Sequence, residues 1–233
     1  MTSRGINKPA GGAPGAVKRA MVFDFDGTVT DVDVFDSLFF QFADPAWLEA
    51  HAAYHKDECD LEEAYRKMTP HFRGGAEEVL AFLENRIGLR EGFRELLDHL
   101  LLEKVRVMIV SNGFDFYIHY LLDFWGIDRK RLEVICHRAR ISRGRFLPSF
   151  RRHSSLKHAH CLIGKAEIIE QLKASGHSVA FCGDGYSDTP AARVADLVFA
   201  RGHLARFCRA EKIAFHYLDN FVSVLRRLRR EWR

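Results

Sequence analysis

Two aspartates stand two residues apart in Asp24-Phe-Asp26-Gly-Thr28-Val-Thr30, directly after the apolar run Ala20-Met-Val-Phe23. The run reads as a buried strand. Side chains two apart on an extended chain point the same way, so both carboxylates can serve one centre. One can attack an electrophile and hold a metal ion while the other moves a proton. The same residues could open a calcium loop of the EF-hand type, but such a loop needs Glu at its twelfth position. Counted from Asp24, that position is Phe35, which excludes the calcium reading.

Three further segments can build a site around this pair. Val105-Arg-Val-Met-Ile-Val110 is a second β-branched run and ends in Ser111-Asn112-Gly113. A hydroxyl and free backbone N–H groups between a strand and a helix suit an oxyanion. Lys165 opens an amphipathic helix with Ile168, Ile169 and Leu172 on one face, and its cation could reach a phosphate. Val179-Ala-Phe-Cys182 is a third strand, followed by Gly183-Asp184-Gly185-Tyr186-Ser187-Asp188. Glycines there allow a tight turn with two more carboxylates. Taken singly, these segments have plain explanations as a turn, a solvated lysine and a loop; it is their order that carries information.

That order resembles the four motifs of the haloacid dehalogenase superfamily, in the branch that contains phosphoserine phosphatase, and the resemblance runs from about Lys18 onward. Within the branch, Phe42-Ala-Asp-Pro-Ala-Trp47, Leu89-Arg-Glu-Gly-Phe-Arg-Glu-Leu96 and Asp196-Leu-Val-Phe-Ala-Arg201 look like the enediol-phosphate phosphatases of bacterial methionine salvage. Those enzymes remove phosphate from 2-hydroxy-3-keto-5-methylthiopentenyl phosphate. Two departures are visible. Ser111-Asn112-Gly113 replaces the common Ser-Gly-Gly, which Asn tolerates because it enters left-handed backbone more readily than most residues. The segment Arg152-His-Ser-Ser-Leu-Lys-His-Ala-His-Cys161 lacks most of the cysteines of the salvage enzymes.

The resemblance implies a Mg2+-dependent phosphomonoesterase that works through an aspartyl phosphate. Asp24 would be the nucleophile and Asp26 the acid and base. Ser111, the Asn112 amide and Lys165 would hold the transferring group. Asp24, Asp184 and the backbone carbonyl of Asp26 would bind Mg2+, with Asp188 orienting a metal-bound water or Lys165. Thr28 would support the turn. Asp33 falls where phosphoserine phosphatase places a substrate-binding Glu; equally, it could cap a helix beginning near Phe35. A phosphotransferase with an alcohol acceptor would share every motif. A non-catalytic binding protein on the same scaffold would be expected to lose the nucleophile or a metal ligand, and Asp24, Asp26, Lys165, Asp184 and Asp188 are all present.

The elements that must position these groups are α/β. Asp24 and Ser111 are 87 residues apart, far more than one crossover helix needs. Helical patterns fill the interval over Phe35–Phe42, Pro45–Tyr54, Leu61–Met68 and Ala76–Ile87, and Glu91–Glu103 follows with Phe93, Leu96, Leu97, Leu100 and Leu101 at helical spacing. Strand and helix then alternate, which implies a parallel, Rossmann-like sheet covered on both faces. The expected division is a disordered tail over 1–18, a core over 19–30 and 91–233, and, by resemblance, a small helical cap over 31–90.

Composition agrees with one soluble core, since 233 residues with 47% hydrophobic and 28% charged side chains can bury a sizeable interior. No apolar run reaches membrane-span length, and the start lacks a secretory apolar middle. Five cysteines, Cys59, Cys136, Cys161, Cys182 and Cys208, show no paired spacing, which suits a reducing cytoplasm. The net charge of +4 is two opposed fields. The cap range holds 13 acidic and 6 basic residues, whereas His137–His160 holds seven cations and no acid. Within that basic segment Arg138–Leu147 reads as a hairpin around Gly144, and a solvated hairpin explains its charge more simply than nucleic acid does. His153, His158, His160 and Cys161 match no strong zinc spacing. The helix over Asn220–Arg233 gathers arginines at its C-terminus, where they complement its dipole. The expected partner is a small-molecule phosphomonoester, without membrane.

Overall fold

Buried β-branched and aromatic runs supply the centre of the sheet. Ala20, Met21, Val22 and Phe23 are completely buried in strand β1, Lys18–Phe23. In this computed structural model residues 17–151 and 162–232 are described. Residues 1–16 of the expected tail lie outside them, as do His153, His158, His160 and Cys161 of the weighed zinc group. Lys18, expected in the tail, is the first residue of β1.

β1 lies between two parallel partners, β2 (Arg106–Phe114) and β5 (His177–Gly183). β3 (Glu133–Ser142) continues the sheet beyond β2, and β4 (Arg145–Ser149) closes that edge as an antiparallel hairpin. β6 (Leu197–Ala200) and β7 (His216–Tyr217) extend the other edge, giving the order β4-β3-β2-β1-β5-β6-β7. The α/β class expected from alternating strands and helices is the class observed. The hairpin turn is Arg143-Gly144, both at positive φ, the geometry that matches strand twist in a two-residue connection.

Four helices, α1 (Val34–Phe42), α2 (Trp47–His55), α3 (Leu61–Met68) and α4 (Ala76–Arg86), occupy the interval between β1 and α5 (Phe93–Leu102). Each observed end lies within two residues of the end expected from periodicity. α1 and α3 begin where Asp33 and Asp60 accept backbone hydrogen bonds from Asp36 and Glu63, at 2.8 Å each, supplying acceptors that a helix start otherwise lacks. These helices do not form a separate core. Phe35 and Phe39 of α1 pack on Phe146 of β4 at ring distances of 6.0 and 5.7 Å, and Tyr65 of α3 packs on Phe114 of β2 at 5.2 Å. One continuous set of buried side chains thus joins the inserted helices to one face of the sheet. Such aromatic pairs contribute about 0.5–1.5 kcal/mol each beyond the area they bury.

The other face of the sheet is covered by α7 (Lys165–Ala174), α8 (Thr189–Val194) and α9 (Gly202–Ala210), through Ile169, Leu172, Ala191, Leu204 and Cys208 among others. α6 (Asp115–Phe124) and α10 (Phe221–Glu231) lie with α5 on the first face. Cys182 is fully buried in β5, as a core thiol should be, and the described cysteines Cys59, Cys136, Cys182 and Cys208 are all free thiols. No described helix is long and apolar enough to cross a membrane. Arg138, Arg140 and Arg145 stand on the exposed side of the hairpin.

Candidate active site

The carboxyl ends of β1, β2 and β5 meet at one cavity of about 570 Å3 whose wall includes Asp24, Asp26, Asp33, Ser111, Asn112 and Asp184. The inserted helices close its opposite side with Phe35, Asp36, His51, Tyr54, Leu61 and Tyr65. Ligand sites in open α/β sheets form at such strand ends.

Asp24 and Asp26 share the cavity for a different reason than simple strand alternation. The strand stops at Phe23, and Phe25–Val29 forms a kinked turn whose backbone is not helical at Asp26 and Gly27. Asp26 inside it has extended angles, and Gly27 has φ 69°. A Cβ on Gly27 would lie 2.5 Å from Asp184 Oδ2, so both the backbone and the space there require glycine. The turn is braced by Thr30, whose Oγ1 accepts from Gly27 N at 2.9 Å and donates to Val32 O at 2.7 Å. Thr28, expected to be the brace, instead donates its hydroxyl to Asp184 Oδ1 at 2.8 Å. It tethers the first strand end to the third.

Arg90 is a clamp that the sequence reading missed. Its guanidinium donates to the carbonyls of Thr28, Gly27 and Thr30 at 2.7, 2.8 and 2.7 Å. Three carbonyls turned toward one point would otherwise repel, and a planar fork of donors meets them together. Arg90→Met is expected to cost roughly 2–3 kcal/mol in urea denaturation, the scale of losing charged hydrogen bonds at a partly buried site. A cost below about 0.5 kcal/mol would show that the turn holds itself.

Lys165 does not line the cavity. It is 1% exposed and lies behind Asp24, with Nζ 2.7 Å from Asp24 Oδ1 and 2.5 Å from Asp188 Oδ1. Burial opposes its charge, but the carboxylates of Asp188 and Asp24 outweigh burial and hold its pKa above the usual lysine value. Asp188 is fully occupied, since its Oδ2 accepts from the backbone N–H groups of Asp184 and Gly185 at 2.8 and 2.9 Å. It locks both Lys165 and the turn that presents Asp184.

Asp24, Asp184 and Asp188 offer oxygen atoms within 4.8 Å of one another. Three carboxylates face one lysine. Burial, and then the Asp188 carboxylate, push Asp24 well above the ordinary carboxylate range and raise Asp184 to about 7. A divalent cation at this point would reverse both shifts, because its charge favours the ionised form. An oxygen-only donor set suits Mg2+. Of the three residues, Asp24 and Asp184 fit the part of ligands, while both oxygens of Asp188 already have partners.

Ser111 and Asn112 lie within β2, which continues four residues past the expected end at Val110, with a register shift between Val110 and Phe114. Ser111 Oγ donates to Asp26 Oδ2 at 3.2 Å and accepts from Gly113 N at 2.9 Å. The Asn112 side chain accepts from Leu162 N and Ile163 N at 3.2 and 3.1 Å, tying β2 to the segment before α7. Asp26 Oδ1 accepts from Val34 N at 3.2 Å, and Oδ2 accepts from the Tyr117 hydroxyl at 2.9 Å. Burial lifts the Asp26 carboxyl to about 6 against the lowering effect of Tyr117 and Ser111. Asp33 caps α1, as one of the two readings expects, and it also lines the cavity.

Residues 21–193 match the haloacid dehalogenase-like hydrolase family. The chain belongs to this family. Among haloacid dehalogenase relatives, it is 27% identical over 204 residues to the 2-hydroxy-3-keto-5-methylthiopentenyl-1-phosphate phosphatase of Bacillus cytotoxicus, covering 86% of this chain and 91% of that one. It is 28% identical over 207 residues to the protein of the same name in Exiguobacterium sp., covering 88% and 94%. Its fold is similar to a phosphoserine phosphatase solved as a phospho-aspartyl intermediate analogue, with TM-score 0.64, 20% identity, and 90% and 98% of the two chains covered. A substrate-bound phosphoserine phosphatase matches with TM-score 0.65 at 20% identity, over 90% and 97%. The expectation of a phosphatase on the haloacid dehalogenase fold stands.

Proposed function

We propose that this hydrolase removes phosphate from a small polar phosphomonoester through a covalent phosphate on Asp24. The observation that carries this reading is the position of Asp24, on the wall of the cavity at the strand ends, held by Lys165 and flanked by Asp184. An Asp24 carboxylate oxygen forms a bond to phosphorus as the ester P–O bond breaks. The leaving oxygen takes the proton held by Asp26. Water then attacks the phosphorus of the aspartyl phosphate, Asp26 accepts its proton, and phosphate leaves with Asp24 restored. Asp24, Asp184 and the backbone carbonyl of Asp26 would hold Mg2+, which when bound supplies positive charge against the phosphoryl oxygens. Ser111 and the Asn112 N–H, from residues that line the cavity, would donate to the transferring group, and Lys165 would offset charge on Asp24.

The cavity suits a metabolite better than a polymer. Its wall combines apolar Phe35, Leu61 and Met68 with polar Asp33 and His51. The methionine-salvage enediol phosphate is the first candidate, by the alignment along nearly the whole chain. A panel of phosphomonoesters assayed with Mg2+ is expected to show phosphate release from small esters, abolished by excess chelator. Activity only on phosphoproteins or oligonucleotide ends, or full activity in chelator, overturns the reading. Phosphate passed to an added alcohol in preference to water would identify a phosphotransferase instead.

Asp33 gives the substrate-side test. Because it both caps α1 and lines the cavity, Asp33→Ala is expected to lower stability by about 1 kcal/mol. It is also expected to lower kcat/KM for the true substrate more than for a generic aryl phosphate. A lowered melting temperature with an unchanged ratio of the two kcat/KM values would assign Asp33 to the helix cap alone.

A further inference from the structure

We propose that Tyr117 is a positioning residue that aims the Asp26 carboxyl group at the leaving oxygen; this rests on the reading of Asp26 as the acid. Tyr117 lies on α6, fully buried and away from the cavity wall. Its ring is packed among Phe25, Phe114 and Phe116, at 6.4, 6.5 and 5.2 Å. Its hydroxyl reaches Asp26 Oδ2 from behind at 2.9 Å.

The need for such a contact follows from the chemistry of a short carboxyl side chain. The terminal torsion of Asp is broad, so its carboxyl plane is not set by rotamer preference. Two anchors set it here: Val34 N on Oδ1 at 3.2 Å and Tyr117 on Oδ2. The third donor, Ser111 Oγ at 3.2 Å, is also the hydroxyl assigned to the transferring phosphate. Once Ser111 turns to phosphate, Tyr117 is the remaining side-chain anchor. General acid catalysis needs the donor oxygen within hydrogen-bond reach of the leaving atom, and small misplacements are costly.

The contact also explains a glycine. Gly113 is not in the left-handed region, yet a Cβ there would collide with both the Tyr117 hydroxyl and Asp26 Oδ2. The strand end is open at that point so that the phenol can pass.

A leaving-group series separates positioning from general support. With 4-nitrophenyl phosphate, whose phenolate departs without a proton, kcat/KM depends little on the acid; with phenyl phosphate it depends strongly. Tyr117→Phe keeps the ring and removes only the hydroxyl. Its kcat/KM is expected to fall about tenfold on phenyl phosphate, part of the usual acid contribution, and less than twofold on 4-nitrophenyl phosphate. Asp26→Asn should show the same dependence more strongly, and adding Tyr117→Phe to it should change neither substrate further. An equal loss on both substrates by Tyr117→Phe, with Asp26→Asn still leaving-group dependent, overturns the role of Tyr117 alone. No leaving-group dependence in Asp26→Asn overturns the acid assignment and the proposal with it.

Discussion

Replacing Asp24 by Asn is expected to abolish turnover while the protein remains folded. The amide is nearly the size of the carboxylate but is too weak a nucleophile to attack phosphorus. The change also removes the partner that Lys165 Nζ meets at 2.7 Å. The buried ammonium keeps its other contact, to Asp188 at 2.5 Å, so the cation is not stranded. Relief of crowding among Asp24, Asp184 and Asp188 offsets part of the lost ion pair. The expected result is a near-native melting temperature with no covalent phosphate trapped by acid quench. Turnover within tenfold of the parent would remove Asp24 from the nucleophile position.

Asp26→Asn is expected to bind substrate and turn it over roughly a hundred to ten thousand times more slowly, the usual worth of a positioned acid and base. The backbone carbonyl of Asp26 is unchanged by this substitution, so the metal requirement should persist. The two donors on Oδ2, from Tyr117 and Ser111, still find an acceptor if the amide oxygen takes that place. Single-turnover rates with kcat compared against KM check this: kcat should fall and KM should change little. A loss under about threefold would mean that another group carries the proton.

Together the two substitutions test a division of labour that the local structure favours. Asp24 leaves β1 in extended backbone and faces Lys165, whereas the kinked turn over Phe25–Val29 directs Asp26 toward the end of β2. One carboxylate is therefore set beside a fixed cation and the other beside hydroxyl donors. Burial raises Asp26 to about 6, a value at which a carboxyl can both give and take a proton near neutrality.

Sequence by itself determined the strands that carry the site and the identity of most of its wall. Ala20–Phe23, Val105–Val110 and Val179–Cys182 are apolar enough to read as buried strands, and each is followed by polar residues that could do chemistry near the carboxyl end of a strand. Asp24, Asp26, Ser111, Asn112 and Asp184 are legible for that reason. The inserted helices are legible from their 3.6-residue spacing, and the start of α1 from Asp33. What sequence could not supply is what crosses between distant segments. Arg90 sits 62 residues from Thr28 and Tyr117 sits 91 residues from Asp26, and neither spacing has a local signature. Thr28 and Thr30 look interchangeable in one dimension; the turn sends one to Asp184 and the other back to its own backbone. The same limit applies to Lys165, which reads as a cation that could reach phosphate: that it is buried against Asp24 and Asp188 is decided only by packing. Local chemistry follows from covalent neighbours, whereas the direction of a side chain and the partner of a buried polar group are set only when the strands pack side by side and every buried donor must find an acceptor.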